Sequence, residues 1–244
     1  MRLQQARYPG LIAHPDRHTP QRPLHPPKAY NPRLSAPTRP MTDTRPVAPT
    51  AHLLLLTTTV FALVCGAAQF WRHDLDPIAI PLSFYLTGPG GAYVRLAYYL
   101  ISAGLLGFAL GGYRATSPPL RSRLASTLFA GAGLALPVVA LTELFLGSPY
   151  EQPARLIHGL AAQATFLWLS FGMLLLNARW RRDALLRTGN TAGWIVAWLA
   201  TVVLWSQVFL RDLPHGLMQK LTIGLILVWL AWAARHMRRA AGVR

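Results

Sequence analysis

Acidic side chains are scarce in this chain. Eight Asp and Glu stand against 24 Lys and Arg in 244 residues, and charged residues together make up only 13%. A soluble domain carries nearer a quarter. Cysteine is scarcer still: Cys65 is alone, so no intrachain disulfide can form and cysteine usage reveals no redox compartment. Cys65 is also poorly placed for lipidation, because Val64 stands where a lipoprotein cleavage signal takes a small residue. The apolar part of the chain has no HxxxH or HExxH, so a helical zinc site is not expected. No GxSxG surrounds any serine, and Walker, Rossmann, haem and iron–sulfur signatures are missing, so no cofactor is expected.

What the chain has instead is long apolar runs. Apolar residues make up 52%, and the mean hydropathy is +0.30 although the first fifty residues are polar. A hydrocarbon core about 30 Å thick needs about 20 apolar helical residues to cross it. Six stretches qualify: about 52–71, 94–113, 124–146, 156–178, 190–210 and 215–234. Barrel strands are about ten residues long and alternate in polarity. These runs do neither, so the expected fold class is all-α: a polytopic membrane helix bundle with six transmembrane helices.

Residues 1–50 differ from the rest. They hold 11 of the 20 prolines, eight Lys or Arg and three histidines, with almost no apolar clustering. Such a segment cannot bury enough surface to offset its ordering entropy, and it lacks the apolar core and cleavage site of a signal peptide. It reads as a basic, Pro-rich extension preceding a membrane domain over 51–240. Met41 opens Met41-Thr-Asp-Thr-Arg45, which makes it a possible true start. The other reading of 1–40 is a flexible basic tail.

Orientation follows from the arginines. Eleven lie on one side of the membrane: Arg114, Arg121 and Arg123 after span two, Arg179, Arg181, Arg182 and Arg187 after span four, and Arg235, Arg238, Arg239 and Arg244 at the C-terminus. The opposite loops hold four, Arg72, Arg95, Arg155 and Arg211, diluted by Asp74, Asp76, Glu151 and Asp212. Positive-inside bias puts both termini in the cytoplasm of a cell whose inner membrane holds the chain. The net charge of +16 is spread over such connectors, with no basic patch interleaved with aromatics, so nucleic acid is not an expected partner. Membrane lipids are, and the sequence names no protein partner.

Packing signals are unspecific: Gly104, Gly107 and Gly111 in span two, Gly131, Gly133 and Pro137 in span three. The ionisable residues are more telling, because they gather at the outer span ends. Arg95, Tyr98, Tyr99 and Ser102 share a face of span two, Glu143 lies roughly 6 Å deep in span three, and His158, Gln207, His215, Gln219 and Lys220 follow in spans four to six. Charges inside a membrane are costly and seek partners or a cavity. An outward-opening polar pocket ringed by spans two to six is expected, with Glu143 near Arg95 or Lys220 and His158 and His215 at its rim.

The outer loop 72–93 is the longest, and its middle, Ile78 to Tyr85, is apolar. It reads Asp76-Pro77, then Leu82-Ser83-x-Tyr85-x-x-Gly88-Pro89-x-Gly91, leading straight into span two. His158-Gly-x-x-Ala162 opens span four, and Gly216-Leu-x-Gln219-Lys220 opens span six. In this order these motifs resemble a bacterial and archaeal membrane family known as domain of unknown function 998. The resemblance covers about residues 50–240. It implies a six-span fold and no activity, and the long N-terminal extension departs from the family pattern, which favours Met41 as the start.

Three functions are open. The first is an accessory, sensor or lipid-binding factor with an outward polar pocket. The second is an intramembrane hydrolase or transferase acting on a lipid, with Glu143, His158, Ser83 and His215 as catalytic candidates and Asp76, Tyr85, Arg95, Gln219 and Lys220 as pocket residues. Each has a structural counterpart: Ser83 and Tyr85 anchoring the loop through backbone bonds, Glu143 in an ion pair, and Lys220 snorkelling outward. The third is a small transporter, which the lack of an internal repeat makes harder to build.

Overall fold

The computed structural model describes residues 47–210 and 212–242. Met41 and the rest of the segment before Val47, Arg211 and Arg244 lie outside the described residues. Six helices follow one another: α1 (Val47–Trp71), α2 (Gly91–Ala115), α3 (Arg123–Thr142), α4 (Glu151–Trp180), α5 (Asn190–Phe209) and α6 (His215–Gly242). All six are long and apolar enough to cross a membrane, and no strand occurs among the described residues.

Local chemistry sets the helix ends, some of them outside the apolar runs. α1 begins at Val47, where Pro49 sits in the first turn, a place that lacks an N–H partner in any case. α4 begins at Glu151, an acidic residue on the positive end of the helix dipole that pairs with Arg155 one turn on at 2.7 Å. α6 runs past its apolar part to Gly242 through Arg235, Arg238 and Arg239, cations favoured at a C-terminal end. The Ser122 hydroxyl caps α3, accepting from the Ala125 N–H at 3.2 Å.

Each helix packs on the next, and α6 closes the ring against α1. Two seams explain themselves from the sequence. On α2 the glycines at 104, 107 and 111 leave a shallow channel into which Thr50, Leu53 and Thr57 of α1 press. A Cβ at Gly104 would strike the Thr57 hydroxyl, and one at Gly111 would lie 2.8 Å from the Thr50 Cβ. On α3, Pro137 lacks the N–H that would bond the Gly133 carbonyl one turn back. Ser102 of α2 repairs this loss, donating to Gly133 O at 2.6 Å. The seam between α4 and α5 is the loosest between consecutive helices.

The two ends of the bundle are built differently. The arginine end, where α2 meets α3 and α4 meets α5, is filled with rings. Phe108 and Phe129 meet edge to face at 4.8 Å, Trp229 stacks on Phe129 at 5.7 Å, and Trp180, Trp232 and His236 continue the cluster. The Trp180 indole N–H donates to Thr116 Oγ1 at 2.9 Å. The other end is covered by residues 72–90, which include a 3-10 turn over Leu82–Leu86.

Candidate functional site

The covering loop is fastened at several points. Arg72, 6% exposed, forks onto Asp74, with Nε and Nη2 each 2.8 Å from a carboxylate oxygen, and its Nη1 donates to Thr87 O at 2.5 Å. That fork holds the Asp74 carboxyl below the usual carboxylate range. Asp76 Oδ1 accepts from the N–H groups of Ile78 and Ala79 at 2.7 and 3.3 Å, an Asx-type turn around Pro77. Two ties run to α6: the Leu217 N–H donates to Ile78 O at 2.8 Å, and Lys220 Nζ donates to Pro77 O at 2.6 Å. Gly216 makes this close approach possible, because a Cβ there would lie 2.7 Å from Ala79 backbone atoms. Arg95 of α2 donates to Leu86 O. Tyr85 is 1% exposed beneath Lys220, whose Nζ is 5.0 Å from the ring centre, and burial pushes its phenol above the ordinary range.

Glu143 does not meet Arg95 or Lys220, the two cations that its depth suggested. Both are bound to loop carbonyls. The Glu143 partner is His158: Glu143 Oε1 lies 2.9 Å from Nδ1, with side chains 12% and 17% exposed. α3 ends at Thr142, so Glu143 stands on a short 3-10 turn, Glu143–Phe145, facing the first turns of α4. Val139 O and Thr142 Oγ1 each lie 3.2 Å from the same nitrogen. A carbonyl oxygen and a carboxylate can only accept, so Nδ1 carries a proton. In the neutral ring the lone pair is then on Nε2, at the edge turned away from α3.

Two spaces that share part of their lining meet at His158. A groove of about 560 Å³ runs between α4, α5, the start of α6 and the loop, lined by Ser83, His158, Gln163, Phe166, Trp205, Gln207, His215 and Gln219 among others. A narrow chamber of about 70 Å³ continues inside the bundle between Phe61, Tyr98, Ile101, Leu105, Leu136, Ile223 and Leu230. Ser83, His158, Ala162, Phe166 and Gln219 line both. Only the groove reaches the range of about 300–1,000 Å³ typical of ligand sites. α5 contributes to the groove and not to the chamber.

The polar groups at this neck are aimed by their other bonds. Gln219 Oε1 accepts from the Leu82 N–H at 2.9 Å, which leaves its amide N–H groups for the cavity. The Ser83 hydroxyl makes no hydrogen bond among the described residues, so it does not tie down the loop backbone. His215 is exposed on the rim.

The structure thus draws Ser83, Glu143, His158, His215 and Gln219 to one place, Glu143 standing behind His158. Asp76, Tyr85, Arg95 and Lys220 hold the loop and do not line the groove. No set of three metal-ligating side chains converges among the described residues. Sequence reasoning missed Gln163, although it lies one residue off the His158, Ala162, Phe166 face and at the depth of Gln207 on α5. It also missed Asp183 in the α4–α5 connector. This carboxylate is fully buried, and Oδ2 accepts from the Ser117 N–H at 2.7 Å.

Neither the curated proteins nor the solved structures include a match to the chain. A family match does exist, to the protein family of unknown function DUF998, and it extends over residues 55–236, from the third turn of α1 to the last turns of α6. Covering most of the chain and every one of its six apolar helices, that match makes this multi-pass membrane protein a member of the DUF998 family.

Proposed function

We propose that this protein is an inner-membrane, lipid-associated accessory factor that holds an amphiphile in the groove between α4 and α5, with both termini in the cytoplasm and the groove on the opposite side. The observation that carries the reading is the shape and chemistry of the groove. Its walls toward mid-membrane are apolar (Phe166, Leu167, Leu204 and Trp205), and its upper rim is polar (Ser83, Gln163, Gln207, His215 and Gln219). Leu167 and Val208 on its walls are exposed, so the loosest seam of the bundle faces the acyl chains beside it. A lipid can slide in sideways, chains low and polar end high.

Trp205 provides the test. Lipids with dibrominated acyl chains quench nearby indoles. In nanodiscs they are expected to quench wild-type protein more than Trp205→Phe, and an unbrominated lipid with a competing polar end is expected to abolish that difference. Equal quenching of the two proteins under all conditions refutes the groove as a lipid site. The orientation rests on eleven arginines against four, and a reporter fused after Arg187 that proved periplasmic would overturn it.

One observation favours a second reading, hydrolysis or acyl transfer on the bound lipid. Glu143 fixes the His158 tautomer so that Nε2 can accept a proton at the neck. Lipidomics of a deletion strain complemented with His158→Ala or Glu143→Gln separates the two. An enzyme leaves the deletion profile uncorrected in both, whereas a binding factor that keeps Trp205 quenching restores it.

A further inference from the structure

We infer that the groove selects a lipid whose polar end is uncharged, offering hydroxyl or ester oxygens, and discriminates against phosphate-bearing lipids of the same chains. The inference rests on the lipid-binding reading above and adds the class of ligand. It follows from which side chains face the groove and from where every nearby cation is committed.

Among the described residues, no Lys, Arg, Asp or Glu lines the groove. Its polar lining consists of three amides, Gln163, Gln207 and Gln219, one hydroxyl, Ser83, and two imidazoles. An amide offers donors and an acceptor together, which suits a group that both gives and takes hydrogen bonds, as a hydroxyl does. A phosphate takes only acceptor roles and is normally met by guanidinium, ammonium or free backbone N–H groups.

Among the described residues, the cations at this end are bound elsewhere. Arg72 forks onto Asp74, Arg95 donates to Leu86 O, Arg155 is paired with Glu151 one turn before Gly159 toward the start of α4, and Lys220 is held by Pro77 O above the Tyr85 ring. Part of the α6 N-terminus is spent in the same way. Its Leu217 N–H is taken by Ile78 O, and its Met218 N–H by Pro214 O. Behind His158 stands an acid, Glu143, which opposes an anion at the neck. Among the described residues, His215 is the exposed imidazole on the open rim, where water and salt screen electrostatic interactions. A phosphate in this groove would give up hydration with no counter-charge in return, whereas a glycerol hydroxyl, a sugar or an ester carbonyl would find the Gln219 amide N–H groups and the Ser83 hydroxyl unoccupied.

The test uses the full chain in phosphatidylcholine nanodiscs doped with equal amounts of diacylglycerol, monoglucosyl diacylglycerol and phosphatidic acid, all with identical chains. Native mass spectrometry reads the lipid retained on ejection. The uncharged lipids are expected to be retained over phosphatidic acid by at least about tenfold, which is about 1.4 kcal/mol. Whether diacylglycerol or its glucosyl derivative leads distinguishes a glyceryl from a sugar polar end, and either order supports the inference. Gln163→Arg, an exposed change on the groove wall, supplies the missing fork and is expected to raise the phosphatidic acid share at least about fivefold. Phosphatidic acid retained as well as the uncharged lipids by the wild type overturns the selectivity and leaves the groove as a lipid site. If no doped lipid is retained above the host lipid and Trp205 quenching also fails, the lipid-binding reading falls, and this inference with it.

Discussion

Asp183→Ala is the perturbation whose cost the structure defines best. Asp183 sits in the connector after α4, 0% exposed, among arginines that do not pair with it. Its two carboxylate oxygens accept from the N–H of Ser117, in the α2–α3 connector, at 2.7 Å and from the N–H of Leu185 at 3.0 Å. Its carbonyl also accepts from Leu186 and Arg187, closing the turn. Alanine keeps that turn and orphans both side-chain bonds. A hydrogen bond to a charged group contributes about 1.5–3 kcal/mol, so the pair amounts to about 3–6 kcal/mol, nearer the lower figure if water reaches the vacated site. Asp183→Asn retains one acceptor oxygen and turns an NH2 toward the other donor, so at least about 1.5 kcal/mol is lost. For a chain of this length each kcal/mol lowers the midpoint by about 2–4 °C. Thermal unfolding in detergent, followed by the fluorescence of Trp180 and its neighbours, should drop by about 6 °C or more for alanine and by roughly half that for asparagine. An alanine variant that melts within about 1 °C of wild type refutes the view that this carboxylate ties the two connectors together.

Two further predictions concern the covering loop. The Tyr85 hydroxyl is buried without a partner, so Tyr85→Phe should leave stability within about 0.5 kcal/mol of wild type, and a loss above about 1.5 kcal/mol in detergent unfolding would mean that the hydroxyl is bonded after all. The Asp74 carboxyl is held low by Arg72, so its contribution is present above the ordinary carboxylate value of about 3.9 and is lost as pH falls through its lower folded value. Amide exchange across residues 73–90 should therefore quicken on acidification in wild type, with no such acceleration in Asp74→Asn.

The six helices were legible because a bilayer imposes one demand, length without charge, and long apolar runs answer it directly. Depth was legible too: Glu143, His158, His215 and Gln219 do lie together at one end of the bundle. Partnership was not, because hydropathy fixes how deep a residue sits and not which way it faces. Arg95 and Lys220 looked free to pair with Glu143 only while the loop was imagined as a cover without carbonyls of its own. Once Leu86 O and Pro77 O bend inward, they take both cations locally. The fork between Arg72 and Asp74 was hidden for the opposite reason: two residues apart in an open loop, they read as charge dilution and not as an anchor. Asp183 was hidden by its company, since an acid among four arginines looks solvated, and its bond to Ser117 spans 66 residues of sequence.

The unequal filling of the two halves bears on the transporter alternative. A carrier needs a route for a polar solute to both faces. One turn below the chamber residues Leu105 and Ile226 come Phe108 and Trp229, and with Phe129 and Trp180 they close the middle of the bundle with stacked and edge-on rings. The Trp229 indole N–H is the only polar atom those four rings turn inward without a partner. Opening a path there would separate rings whose contacts contribute about 0.5–1.5 kcal/mol each beyond their burial. Below the neck the arrangement favours an apolar chain end, and above it a polar group that can pair with amides. Those two requirements fit the proposed lipid ligand better than the transporter alternative.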